Sequence, residues 1–343
     1  MTLNQFIDNL NLIKGKIIAI VYNFPPDSLE GAKKYDFWEG DVISDWVHAV
    51  YELHGMPFIL DARTFVEKAM NKTLPPIDYV IDLNDGFYNL SSLSLIPSAC
   101  AYCNIPCIPC DAFTLLIGEN KFFTNVIARA FGLNIPNEVK EEREDTITRP
   151  YCWGSSCGIN KGVGSESLKN KIIQEFVPGF DVTIPLIFCP ISEELTVLPA
   201  IAYCHTNYDP MWFLGETQKR THSEYKKRIV DIDKKTEMTI KKFAEYMGIH
   251  TYCRLDFRCL CETGEEIKRT IEHGVSYEKL KFIEINPLPT IKEGINFLTS
   301  LSQTPKTSLI SDCINAYYTN TREATLVGFI LSISIIAHIK AKH

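Results

Sequence analysis

The chain lacks three features that would each assign it to a class at once. No apolar run reaches the roughly 18 residues of a membrane span. The strongest candidate, residues 325–339 (TLVGFILSISIIAHI), falls short and predicts a buried terminal helix. Residues 1–15 are polar, carry Asp8 and Lys14, and show none of the apolar core of a secretion signal, so a cytoplasmic location is expected. Positive charge is in deficit: the formal net charge is −7, whereas nucleic-acid binding needs a basic surface, so no nucleic-acid partner is expected. No internal repeat and no low-complexity linker interrupts the sequence.

Cysteine, by contrast, is plentiful at twelve. A chain of 343 residues that is 45% hydrophobic buries enough core to fold without disulfides, which predicts reduced thiols and two or three packed subdomains. Residues 16–23 (KIIAIVYN) form a continuous run of the kind that suits a strand buried on both faces, closed by Pro25 and Pro26. Val42, Ile43, Trp46, Val47, Val50 and Tyr51 then recur at helical spacing, with Gly55 beyond. Short strands at 57–60 and 79–83 flank a helix over 64–70, and this βαβ order implies an open parallel sheet in the first third.

From Asp111 to Gly132 the pattern predicts one helix. A strand over 147–149 then leads into the small-residue loop Trp153-Gly154-Ser155-Ser156-Cys157-Gly158, whose backbone N–H groups could cradle a phosphate. Residues 171–177 predict a strand, 184–188 and 197–203 a pair across a turn, 208–228 a polar mobile loop, and 237–247 a helix. The fold class is therefore α/β, becoming α+β towards the C-terminus.

Two late segments carry the chemistry. In Cys253-Arg254-Leu255-Asp256-Phe257-Arg258 and Phe282-Ile283-Glu284-Ile285-Asn286-Pro287, polar residues stand two apart inside apolar runs, so each pair shares a strand face. If the strands are neighbours, Asp256, Glu284 and Asn286 converge as hard oxygen ligands suited to magnesium, with Arg254 a fixed positive charge beside them. Such a cluster suits phosphoryl chemistry on a nucleotide. A competing constellation is Cys100, Cys103, Cys107 and Cys110, two CxxC pairs that invite zinc or iron–sulfur. The stronger reading places them on a helix and the following strand as small hydrophobes.

The ordered set Ile96-Pro97-Ser98-Ala99, Asn104-Ile105-Pro106, Asp111-Ala112-Phe113, Asn120-Lys121, Gly132-Leu133-Asn134-Ile135-Pro136, Gly154-Ser155-Ser156-Cys157-Gly158, Gln174-Glu175-Phe176-Val177-Pro178-Gly179, Arg254-Leu255-Asp256 and Glu284-Ile285-Asn286-Pro287 resembles the D-alanine–D-alanine ligase branch of the ATP-grasp superfamily. The resemblance implies three subdomains: an N-terminal α/β unit over 1–114, a central one over 115–180 and a C-terminal one over 181–343. ATP would lie between the last two, with magnesium or manganese.

It further implies that Lys121 and Arg149 contact phosphates, with Ser156 in the phosphate loop. Gln174 would receive the adenine amino group and Asp181 the ribose hydroxyls. Asp256, Glu284 and Asn286 would hold the metal. Arg254 would stabilise the oxyanion of a tetrahedral intermediate, and Ser155 would lie near the first substrate. The implied reaction joins a small-molecule carboxylate to an amine through an acyl phosphate, and the resemblance suggests a homodimer. The shortness of the apolar run at 325–339 is the reason no membrane contact is expected. Glu39 and Asp41 are candidates for binding a substrate amino group, against an ordinary helix-start role.

Departures from the family pattern are plain. Arg149 replaces a lysine. The loop over 208–220 has no Lys-Tyr pair, leaving Lys219 or Lys226 to substitute. Asn286 is followed by Pro289-Thr290-Ile291-Lys292-Glu293-Gly294 in place of a Pro-Gly turn and serine. Residues 265–277 are inserted, and Asn84-Asp85-Gly86 stands where a His-Gly is usual. The nucleotide half is thus more intact than the substrate half. A nucleotide-binding regulatory or scaffold protein without turnover is the competing expectation. Cys152, Cys157 and Cys253 lie near the inferred site and suggest sensitivity to thiol reagents.

Overall fold

The computed structural model describes residues 11–23, 40–86, 90–152, 154, 156–164, 167–221, 223–291 and 326–341. Among the described residues the first elements are β1 (Ile17–Tyr22), α1 (Gly40–Glu52), β2 (Met56–Asp61), α2 (Ala62–Met70) and β3 (Tyr79–Leu83). Short helices α3 (Leu90–Leu93) and α4 (Leu95–Cys103) lead to β4 (Cys107–Ile108). These strands make the expected parallel sheet, ordered β2-β1-β3-β4. Strand β1 takes a central place, and its residues 18–21 are wholly apolar and buried on both faces. Helix α2 begins where Asp61 accepts hydrogen bonds from the amides of Arg63 and Thr64. Gly55 is needed for room, since a Cβ there would lie 3.0 Å from Ile13 and Val50, while the left-handed residue of that turn is His54 (φ 59°).

The predicted single helix over 111–132 is two, α5 (Ala112–Glu119) and α6 (Lys121–Ala130). Asn120 divides them: its backbone is extended, and its side-chain oxygen accepts from the amides of Phe122 and Phe123, capping α6. A short amide side chain that bonds its own backbone competes with helix continuation. The break makes Lys121 the first residue of α6.

A three-stranded antiparallel sheet follows, β5 (Thr146–Pro150) flanked by β6 (Asn160–Lys161) and β7 (Lys171–Glu175). The remainder is β8 (Gly179–Cys189), β9 (Glu194–Val197), β10 (Ala200–His205), α7 (Glu216–Thr221), β11 (Tyr225–Val230), α8 (Lys234–Tyr246), β12 (Tyr252–Leu260), α9 (Gly264–His273), β13 (Leu280–Asn286) and α10 (Leu326–Ala341). Its sheet runs β11-β10-β8-β12-β13, with β9 paired to β8. The segment expected to be a mobile loop, 208–228, instead holds an ordered strap, α7 and most of edge strand β11. The strap's backbone carbonyls accept hydrogen bonds from neighbouring parts of the chain, among them Arg258, Lys161 and Ser156. The inserted residues 265–277 are largely α9.

One core sits beneath this sheet, where Phe180, Val182, Ile184 and Leu186 of β8 meet Phe243 of α8 and Leu255, Phe257 and Phe282. A second core surrounds α10. Val327, Phe329, Ile330, Leu331, Ile333 and Ile335 are all buried, among Trp46 and Val50 of α1 and Ile187 and Ile201 of the large sheet. A helix apolar all round demands such enclosure, as expected for this segment. Among the described residues no helix is long and apolar enough to cross a membrane.

Candidate active site

Strand β12 alternates. Cys253, Leu255 and Phe257 point into the core, so Arg254, Asp256 and Arg258 share the opposite face. The same alternation puts Asp181 and Thr183 of β8 on that face, opposite Arg258 and Asp256. On the other side of β12, Asn286 lies opposite Arg254 and Glu284 opposite Asp256. The β12–β13 register shifts just past Asp256, a bulge that leaves Ile283 unpaired. Its carbonyl accepts from Arg149 Nη1 at 3.2 Å, so the bulge re-aims backbone towards the site.

The two carboxylates are partly exposed, 19% for Asp256 and 23% for Glu284, and each faces cations. Arg254 grips Asp256 through Nε (3.1 Å) and Nη2 (2.7 Å), and Thr183 donates to the same carboxylate at 2.7 Å. Lys121, only 7% exposed, sits 3.0 Å from Glu284. The cap at Asn120 sets that contact, because it fixes where α6 starts. Gly118 permits it: a Cβ there would lie 2.8 Å from the Pro287 ring, so α5 can rest directly on the end of β13.

Electrostatics follow from this crowding. Burial pushes the Glu284 carboxyl up, but Lys121, Arg149, Lys219 and Arg254 overturn that and hold it at about 2. Burial drives the Lys219 ammonium below its usual value, with Arg254 adding to the fall and Glu284, Asp256 and Asp181 opposing it. Burial likewise lowers the Arg149 guanidinium against the pull of Glu284 and Glu138. Five cations, Lys121, Arg149, Lys219, Arg254 and Arg258, are thus set against Asp181, Asp256, Glu284 and, beside Arg149, Glu138. The surplus is positive and matches a polyphosphate.

The donor set also suits a hard cation. Asp256 and Glu284 are opposed carboxylates on adjacent strands, and Asn286, whose amide oxygen accepts from Leu288 N at 3.0 Å, stands two residues along β13 from Glu284. Magnesium asks for one or two carboxylates and leaves its other positions to water and phosphate.

No family model and no curated protein matches the sequence. Solved structures do. The D-alanine–D-alanine ligase from Bacillus anthracis complexed with ATP superposes with a TM-score of 0.62 at 13% identity, over 96% of this chain and 99% of that one. The fold is that of the ATP-grasp ligases. A second structure of the Bacillus anthracis enzyme gives a TM-score of 0.59 at 12% identity, covering 95% of this chain and 99% of its own. The VanG D-Ala:D-Ser ligase from Enterococcus faecalis gives 0.55 at 14% identity, over 94% of this chain and 99% of that one.

Within the ATP-grasp framework the structure brings Lys121, Arg149, Arg254, Asp256, Glu284 and Asn286 together, as anticipated. Ser155, Trp153 and Glu39 lie outside the described residues, as does the side chain of Asp41. Ser156, in the left-handed conformation (φ 61°), donates to the carbonyl of Leu214 at 3.1 Å and so touches the strap. Gln174 is fully buried, and its carbonyl oxygen accepts from Arg149 Nη2 at 2.7 Å. Asp181 is committed to Arg258 and to the amide of Leu214.

Of the two lysines left open in the loop, Lys219 is the one within electrostatic reach of Glu284, Asp256 and Asp181. Lys226 donates to Thr206 O at 3.1 Å and covers the Tyr208 ring. Arg258 and Thr183 were missed as site residues, although the period-two argument that found Arg254 and Asp256 extends to Arg258.

Asn84 is buried and bonds the Ser92 carbonyl at 2.8 Å, while the Asp85 amide donates to Asn23 at 2.8 Å, joining the ends of β1 and β3. The four cysteines at 100–110 make no metal site. Among the described residues no three His, Cys, Asp or Glu side chains gather as one. Cys107 is a free thiol close to Cys100, which pushes its pKa above the usual value, Cys103 reaches Ala69 O at 4.0 Å, and Cys110 lies buried. The expected thiol sensitivity finds no support at Cys253 or Cys152, whose thiols burial raises, nor at Cys157, which is buried.

Proposed function

We propose that this protein is an ATP-dependent ligase joining a carboxylate to an amine. The observation that carries the reading is the register pair Asp256–Glu284 with Arg254, Lys121 and Lys219 converging on it, in a fold shared with D-alanine–D-alanine ligases, one of them complexed with ATP. Magnesium-bound ATP would supply the phosphoryl group that turns the donor carboxylate into an acyl phosphate open to attack by the amine.

The chain's own residues would then do the following. Lys121, Lys219 and Arg149 bind phosphate oxygens. Asp256, Glu284 and Asn286 hold the metal. Arg254, kept charged by Asp256, faces the negative charge that develops on the attacked carboxyl carbon's oxygen. Asp256 thereby serves two partners, ordering the guanidinium as well as the metal. The altered segment after Asn286 argues for a donor and acceptor other than two D-alanines, such as an amino acid or peptide of a specialised pathway. Eleven described cysteines are free, which together with the use of ATP supports a cytoplasmic setting.

The test is phosphate release from ATP and magnesium across a panel of carboxylate and amine pairs, with product mass as the second readout. Release that needs both substrates and vanishes in Asp256→Asn supports the ligase. Tight nucleotide binding with no release under any pair would point to a regulatory ATP-binding protein and sink the ligase reading.

A further inference from the structure

Every backbone carbonyl from Pro210 to Leu214 is spoken for. Arg258 donates Nη2 to Pro210 O at 3.2 Å and to Trp212 O. Lys161 of β6 donates to Met211 O at 2.6 Å, Gly215 N to Phe213 O at 2.9 Å, and Ser156 to Leu214 O at 3.1 Å. The strap's amide side is held too, by Leu214 N to Asp181 at 2.9 Å.

Arg258 is the hub. Only 4% exposed, it also donates Nε to Val177 O at 2.9 Å, Nη2 to Gly179 O at 2.9 Å and Nη1 to Asp181 at 3.1 Å. It therefore ties the strap to the β7–β8 connection. The Phe176 ring completes the joint, with Lys161 3.8 Å and Arg258 5.2 Å from its centroid and the Phe213 ring at 6.2 Å. The strap runs directly into α7, which carries Lys219 to the Asp256–Glu284 pair.

We infer that Arg258, braced by Asp181, is a positioning residue that holds the strap closed and so delivers Lys219 to the reacting phosphate. The inference rests on the proposed ligase reading for what Lys219 acts upon. Arg258 touches no reacting atom and acts through the strap alone. The task needs a guanidinium, whose forked N–H groups reach several carbonyls and a carboxylate at once, where an ammonium offers three donors from one point.

Limited trypsin cleavage at Lys219 in nucleotide-free protein tests the latch without reference to turnover. Wild type should resist. Arg258→Lys and Asp181→Asn should be cut at least tenfold faster, with unchanged far-UV circular dichroism. Asp181→Asn keeps the bonds from Arg258 to the carbonyls, so it remains informative if Arg258→Lys fails to fold.

In turnover, Arg258→Lys should lower kcat as well as raise the KM for ATP, since Lys219 is no longer presented even though the positive charge at 258 is kept. A strap equally protected in both variants overturns the proposal. So does a loosened strap with kcat and KM for ATP unaltered. A wild type that never turns over would defeat the ligase reading, yet the cleavage rates would still decide the latch.

Discussion

Replacing Glu284 with glutamine isolates the charge at the centre of the site while keeping its size. In the folded protein its carboxyl drops from an ordinary 4.5 to about 2, because four cations outweigh the effect of burial. At about 1.36 kcal/mol per pKa unit, the drop corresponds to about 3 kcal/mol of stability at neutral pH. The sign follows from linkage. A folded pKa below the unfolded one stabilises fully above the unfolded value and is lost as pH falls through the folded value.

Glu284→Gln should therefore unfold in urea about 3 kcal/mol more readily than wild type at pH 7. The gap should hold down to about pH 5 and narrow to about 2 kcal/mol at pH 3.5, as the wild-type advantage is titrated away. A variant as stable as wild type at pH 7 would refute the reasoning. A gap that does not change between pH 7 and pH 3.5 would show instead that the loss comes from packing or hydrogen bonding.

Lys219→Met should behave in the opposite sense for stability. Burial disfavours the ammonium, so the variant should melt slightly higher while binding magnesium-ATP at least about tenfold more weakly, as titration calorimetry would read. Thr183→Val, nearly isosteric, removes the 2.7 Å bond to Asp256 and should cost about 1.5–3 kcal/mol in urea unfolding, as expected for a hydrogen bond to a charged group. Gly179→Ala should cost more than about 4 kcal/mol or prevent folding. The added Cβ would stand 1.8 Å from the Cys259 carbonyl at a backbone φ of +137°, and a soluble variant with unchanged thermal midpoint would contradict the close approach.

Period and punctuation were enough to make several features legible along the chain. The apolar run at 16–23 announced a buried parallel strand, and polar residues two apart in 254–256 and 284–286 announced one face of two strands, because side-chain direction alternates along a regular strand. The apolar segment at 325–339 likewise announced a helix with no wet face. What could not be read locally was decided by packing between distant segments. Asn120 reads as one more helical residue until its cap is seen, and only the cap places Lys121 against Glu284.

The bulge at Ile283, the placement of Lys219 near Glu284, and the commitment of Gln174 to Arg149 each depend on partners from 25 to more than a hundred residues away. The ordered state of the strap at 208–215 depends on donors from three other elements. Residue type and spacing thus set which groups face the same way, while charge balance and the filling of hydrogen bonds, which are properties of the assembled interior, set which of them meet.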